Sequence, residues 1–397
     1  MGDHFAGSIV TLAIAVAAAG AVISASVSGT SAQAPAASSS TLKTPWGEPD
    51  LQGIWTDEFD TPLQRSARYA SQEFFTEQQR ADFDKERGAI LTRFATEREI
   101  NGAYNAATFF STKRTGARTS KIVDPPNGRF PPLTPEAQKR FAAEREYRLA
   151  LVRSTDTCKN KLPGCAGGTY DPTPSPRRAE APPRYNIARM NRNDGPEDSA
   201  LAERCLTAGL PEFGGPTGSF RRIVQTPGGT TIFYDVGQGQ GWQRNIVMDG
   251  RPHLPAGIRQ WYGDSRGRWE GDTLVVDVTN FSPKTEVFGA RENLHLLERW
   301  TRTGPRTLAY EVTIEDPTVW TRPWTVKQEF SQQSNEENRF YAEPRCLEGN
   351  YGLPGLLHGR RVEDAAFAQG RGPDPATKDN VTGALTLGEV PVDPLQQ

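Results

Sequence analysis

Between residues 307 and 315 the chain alternates. Leu308, Tyr310, Val312 and Ile314 are apolar, while Ala309, Glu311, Thr313 and Glu315 are small or polar. A period of two belongs to a β-strand with one buried and one polar face. Such a strand needs an opposing apolar layer, so it constrains the whole region around it. Apolar, β-branched or aromatic runs recur at 219–225, 230–236, 245–248, 258–262, 268–269, 273–279 and 294–303. Turn residues separate them. Thr226-Pro227-Gly228-Gly229 predicts a hairpin, Gly263-Asp264-Ser265-Arg266-Gly267 and Glu270-Gly271-Asp272 read as turns, and Gly304-Pro305 precedes the alternating run. Strands recurring about every ten residues predict a mainly β core domain over 201–362, an antiparallel barrel or a sandwich. If the sheet closes as a barrel, the Glu311 face lines a cavity.

Residues 35–200 have a different texture, Arg-rich and without strand periodicity. Thr76 caps a helix over 77–92, with Gln79 completing a capping box. Thr134 caps a second, running to about Arg153, with Pro135 at its first position. Both carry much charge, so each lies on a surface with one narrow apolar stripe. The chain holds 38 glycines and 31 prolines in 397 residues, above the roughly 12% that the two supply on average. Many turns and few long helices follow. The expectation is a partly helical, irregular N-terminal arm with Pro/Gly-rich linkers, packed on the β core, and an irregular tail over 363–397.

Residues 8–25 are an uncharged, Ala-rich apolar run followed by small residues, with Ala32 and Ala34 as cleavage-site positions. This reads as a secretory signal peptide over 1–34. No other segment approaches the ~20 apolar residues of a transmembrane helix. The mature protein is therefore expected to be secreted or periplasmic, with no stable membrane insertion. Export makes Cys158, Cys165, Cys205 and Cys346 legible as two disulfides. Of three pairings, the short Cys158–Cys165 loop closes easily, which leaves Cys205–Cys346 to staple the ends of the β region. No Cys-x-x-Cys spacing offers a structural zinc site. A net charge of −2 gives no basic excess for a phosphate backbone, so no nucleic-acid partner is expected.

Five long runs carry a resemblance: TPWGEPDLQGIW (44–55), NIVMDGRPH (245–253), WYGDSRGRWEGDTLVVDVTNF (261–281), LHLLERWTRTGPRTLAYEVTIEDP (294–317) and WTRPWTV (320–326). In these the chain resembles a large family of secreted bacterial proteins of soil and marine species. The resemblance spans nearly the whole mature chain. It implies export and a shared fold, and it brings no reaction with it. Gly53-Ile54-Trp55 is also similar to the Gly-x-Trp that opens lipocalin-like barrels.

Candidate chemistry gathers in the β region. His4 leaves with the leader, so the mature chain keeps His253, His295 and His358. One histidine suffices for a general base, because its pKa lies near neutrality. His253 follows the turn Asp249-Gly250-Arg251-Pro252, and His295 opens a strand on which Glu298 points to the opposite face. Gly263-Asp264-Ser265-Arg266-Gly267 matches the nucleophile-elbow pattern but lacks the following helix that the mechanism needs. Asp264 is therefore the better candidate, as the orienter of a histidine. Asp272, Asp277, Glu311 and Glu315 offer paired carboxylates, with Asp272 read first as a turn former. Trp261, Trp269, Trp300 and Tyr310 are candidate walls for a sugar or a flat apolar ligand. Gly237-Gln238-Gly239-Gln240-Gly241 reads as a loop at a cavity mouth.

The leading expectation is an exported enzyme using acid–base chemistry: a lyase, hydrolase or isomerase acting on a small organic or saccharide substrate in a β-lined cavity. His253 or His295 would be the base, Asp264 or Glu311 the orienter or acid, and Arg251 an anion stabiliser. No cofactor is favoured. The alternatives are a metal enzyme holding zinc or copper on His253, His295 and His358, and a non-catalytic ligand-binding envelope protein.

Overall fold

Alternate residues of β9, β11 and β12 are mostly apolar, and in the computed structural model those faces meet in one core. The structure describes residues 42–101, 113–183, 191–199, 201, 204, 206, 209–213, 220–235, 241–333 and 352–379. The segment read as a leader, both cysteines of the expected Cys205–Cys346 pair and residues 237–240 of the Gly-rich loop lie outside them. The strands are β1 (Gly53–Thr56), β2 (Phe59–Asp60), β3 (Arg114–Thr115), β4 (Ile122–Asp124), β5 (Phe220–Thr226), β6 (Gly229–Asp235), β7 (Gly241–Val247), β8 (Asp264–Glu270), β9 (Thr273–Thr279), β10 (His295–Gly304), β11 (Thr307–Glu315) and β12 (Trp324–Gln332). The helices of the arm are α1 (Glu77–Asn101), α2 (Pro135–Val152) and α3 (Asp156–Lys159), and α4 (Gly352–Ala368) follows the barrel.

The order β1-β5-β6-β7-β8-β9-β10-β11-β12 closes when β12 pairs back onto β1 through Trp55↔Gln332 and Thr56↔Ser331, giving a nine-stranded barrel. β4 pairs on β12, and β2 and β3 form a small parallel pair outside the barrel. One junction corrects the antiparallel expectation. β7 and β8 run parallel, joined at Val247↔Arg266. Parallel neighbours need a crossover, and the long loop 248–263 supplies it.

β1 belongs to the arm, so residues 53–56 complete the barrel wall and the change of texture near residue 200 is not a folding boundary. Gly53 has φ +134°, and a Cβ there would come within 2.6 Å of Gln332 Nε2, so glycine lets β1 close against β12. Trp55 is fully buried, its indole donates to Leu51 O at 2.9 Å, and the Arg302 guanidinium lies 5.4 Å from its ring centre.

Several expectations change. Asp264 to Gly267 are strand, not turn, because the turn through Trp261 and Tyr262 ends at Gly263, at φ +65°. A Cβ there would meet Thr279 O at 2.5 Å. The run 258–262 is a turn, with one isolated bridge, Gln260↔Phe281, and Tyr262 stacked on Trp242 of β7. β12 was not anticipated, although Trp324, Val326 and Phe330 point inward while Lys327 and Glu329 face out. α1 runs on to Asn101 behind its Thr76–Gln79 capping box, and Thr134 caps α2 as expected. α4 crosses the boundary placed at 362, so the tail starts as helix. Cys158 and Cys165 are bonded. No helix among the described residues is long and apolar enough to cross a membrane.

Candidate active site

Strand parity decides which polar groups meet. In β9, β10 and β11 the even-numbered residues face the core, and Asp277, His295 and Glu315 share the outer face. Arg266 pairs in register with Asp277, and His295 pairs with Glu315. Asp277 pairs with Leu297, so His295 lies on the diagonal, within reach of a long side chain.

His253 comes from the crossover loop, which Asn280 pins. Asn280 sits at φ +59° and its amide donates to the carbonyls of Leu254 (2.9 Å), Pro255 (3.1 Å) and Ile258 (3.1 Å). Asp264 Oδ2 accepts from the Leu254 amide at 3.0 Å. With the loop held, His253 Nδ1 lies 2.9 Å from Asp264 Oδ2 and its Nε2 lies 3.2 Å from Asp277 Oδ1. His295 Nε2 lies 3.0 Å from that same Asp277 oxygen, and its Nδ1 is 3.7 Å from Glu315 Oε2. Arg266 completes the chain with Nε and Nη2 on the two oxygens of Asp264, at 2.9 and 2.8 Å. The sequence candidates His253, Asp264 and His295 thus converge, with Asp277 at the centre.

The electrostatics separate their roles. Burial would raise the Asp264 carboxyl, but the Leu254 amide, Arg266 and His253 together hold it below its ordinary value. The hydrogen bond from His295 is the main cause that holds Asp277 low. The bond to Asp277 in turn raises His295 above an ordinary imidazole. Both nitrogens of His253 face carboxylates, so it serves as a bridge. His295 is different. When its Nε2 carries the proton that faces Asp277, Nδ1 is left as the acceptor, 3.7 Å from Glu315 Oε2 on a side chain that is 39% exposed.

Other candidates lie elsewhere. Arg251 is 66% exposed and pairs with Asp249. Glu311 pairs with Lys327 at 2.8 Å, on the outer face but four residues from Glu315 along β11. His358 is exposed on α4. Among the described residues no group of three or more His, Cys, Asp or Glu side chains is arranged to hold a metal ion. Asp272 sits in the exposed turn between β8 and β9. Trp300 and Tyr310 are core residues, and Trp269 packs partly buried against the core, so these three present no stacking wall. Trp261 is 40% exposed on the loop that carries His253.

The interior, expected as a ligand cavity, holds a second network. Arg244 donates through Nη1 to Glu298 Oε1 (3.1 Å), through Nη2 to Glu298 Oε2, and through Nε to Ser265 Oγ (2.9 Å). Tyr310 donates to Glu298 at 2.8 Å. Burial is the main cause that pushes the Tyr234 hydroxyl beside them up to about 12. Ser265 is a buried acceptor here, not a nucleophile. Sequence reasoning placed Glu298 on the face opposite His295 but gave no sign of Arg244, its partner across the barrel.

No family model matches the chain, and no curated protein matches it. Among solved structures it is similar to a secretary abundant heat soluble (SAHS) protein from Ramazzottius varieornatus. That similarity has 13% identity over 34% of this chain and 82% of the other, with a TM-score of 0.22. A likeness so low says nothing about the chemistry of this chain.

Proposed function

We propose that the protein is an exported enzyme that performs acid–base chemistry on the outer face of its barrel, as a lyase, hydrolase or isomerase of a small organic or saccharide substrate. The observation that carries this reading is the Asp277–His295 dyad. A carboxylate fixes one ring nitrogen at 3.0 Å, and the other stands 3.7 Å from Glu315 on a partly exposed face. Asp277 holds the tautomer in which Nδ1 is the base and stabilises the imidazolium formed when it takes a proton. His253, bridging Asp264 and Asp277, keeps the central carboxylate in place. Trp261 offers an exposed apolar surface on the same loop for substrate to lie against. The Cys158–Cys165 disulfide supports an oxidising compartment.

A specific observation favours a second reading. Two Nε2 atoms meet one carboxylate oxygen, and each outer Nδ1 lies near a further carboxylate. Carboxylates behind ligating imidazoles are the usual outer shell of a metal site. Under this reading His253, His295 and Asp277 would be the residues to hold zinc or copper, in place of their mutual hydrogen bonds.

The test is a screen of the purified protein for turnover of small esters, lactones and glycosides, with elemental analysis. The first reading expects a metal-free preparation whose activity falls about 10²–10⁴-fold in His295→Ala with an unchanged fold. Near-stoichiometric zinc or copper, lost in that variant, replaces the first reading with the second. Undiminished turnover in His295→Ala overturns both.

A further inference from the structure

A concave site lies where the arm meets the barrel, apart from the histidines. Its volume is about 470 Å³, within the size range of small-molecule sites. Its floor is the outer face of β10–β12. There Arg299, Glu311 and Lys327 follow one another across the sheet in register, with Glu329 beside them. Its opposite wall comes from the arm, through Phe59, Phe74, Arg80 and Arg118.

The charges are not balanced within the wall. Arg80, Arg118, Arg299, Lys327 and Lys121 line it, against Glu311 and Glu329. The Lys121 ammonium is committed to Phe213 O at 2.6 Å, and Lys327 is paired with Glu311. The three arginines are tethered to acids that do not line the site: Arg80 to Glu77, Arg118 to Glu73 and Arg299 to Glu270. Each guanidinium is thereby positioned while keeping donors to spare. Arg118 Nε is buried and has no hydrogen-bond partner among the described residues. The aromatic groups are placed beside the cations. Arg118 lies 4.9 Å from the centre of Phe74, a ring left 52% exposed, and Arg80 lies 5.9 Å from that of Phe59.

Phenyl faces against guanidinium donors suit a ligand with a flat apolar body and one anionic group. We propose that this pocket binds a small aromatic carboxylate, its anion on Arg118 and Arg299 and its ring against Phe74. The site is independent of the histidine network.

Calorimetric titration of the full chain with 2-naphthoate, with the neutral 2-naphthalenemethanol and with acetate tests the assignment. Naphthoate should bind about tenfold or more tightly than either, reflecting charge-assisted bonds added to ring burial. Arg299→Gln should weaken naphthoate by a similar factor and leave the alcohol unchanged. Glu329→Gln should tighten it, and His295→Ala should leave it unaltered whether or not the acid–base reading holds. Thermal unfolding of each variant checks that the fold is retained. Equal affinity for naphthoate and the alcohol, indifference to Arg299→Gln in a folded variant, or no binding of any probe overturns the proposal.

Discussion

Two ionic networks sit on opposite faces of the same barrel wall. On β8, Ser265 points inward to Arg244 while Asp264 and Arg266 point outward to the histidine cluster. On β10, Glu298 is inside and His295 outside. The inner network is buried, with the Arg244 and Glu298 side chains 2% and 1% exposed and bonded to each other and to hydroxyls. The outer one is open enough for a proton to come and go. Similar groups on the same strands are thus structural or chemically available according to parity and water.

The comparison predicts its largest contrast in stability. Glu298→Ala leaves the Arg244 charge buried and uncompensated, and should cost about 3–5 kcal/mol in urea unfolding at neutral pH. His295→Ala, on the partly exposed network, should cost no more than about 1 kcal/mol. Comparable losses would show that both networks hold the fold in the same way. Arg244→Met with Glu298→Leu sharpens the point. Replacing both partners with apolar groups should recover most of the single-variant loss. If the double variant is as unstable as Glu298→Ala, the inner pair contributes more than mutual neutralisation.

A smaller effect is expected at Tyr310. Its hydroxyl donates to Glu298 and its ring packs 4.2 Å, centre to centre, from Trp300. Tyr310→Phe keeps the ring and removes one of several donors to a carboxylate, which should cost about 1.5–3 kcal/mol. A neutral result would mean that Arg244 alone satisfies Glu298.

Much of this wall was legible in the sequence. The alternation of Leu308, Tyr310, Val312 and Ile314 gave the core face of β11, and the parity of His295 against Glu298 separated the two networks before any partner was known. What was not legible was register. Asp277 meets His295 because β9 and β10 pair Asp277 with Leu297, and Arg244 meets Glu298 across the interior. Neither follows from spacing along the chain. β1 has only four residues and the arm's texture around it; its one local mark was Gly53-Ile54-Trp55, similar to the opening of lipocalin-like barrels, and nothing in it showed that β5 and β12 would be its partners. The stretch 263–267 misled because three glycine- or Asp-type turn formers fall in five residues, whereas only Gly263 adopts a left-handed conformation there. Asn280, which pins the His253 loop, had as its one sequence signal an asparagine at the end of a strand, a residue that tolerates that conformation.

The smallest predicted difference lies in pH dependence, which the outer network shows between mildly acidic and alkaline pH and the inner one does not. His295 is raised in the fold, chiefly by Asp277. Its contribution is therefore fully present below the ordinary imidazole value of 6.5 and is lost as pH rises through the higher folded value. Asp277 is held low, so its contribution is present above its ordinary 3.8 and is lost as pH falls through the folded value below it. The outer network is thus most stabilising between those limits. On the inner face, burial pushes the Tyr234 hydroxyl up to about 12 and the Tyr310 hydroxyl well above its ordinary value, and Arg244 stays protonated, so none of these three changes charge between those limits. Wild type and His295→Gln compared by urea midpoint should differ at about pH 5.5 and converge by about pH 9. Tyr310→Phe should differ from wild type equally at both. NMR titration of the His295 Cε1 proton should place its midpoint above that of an ordinary imidazole, and Asp277→Asn should bring it down. A midpoint unmoved by Asp277→Asn would remove the dyad from the outer face, and with it the reason to assign chemistry to one side of this wall and structure to the other.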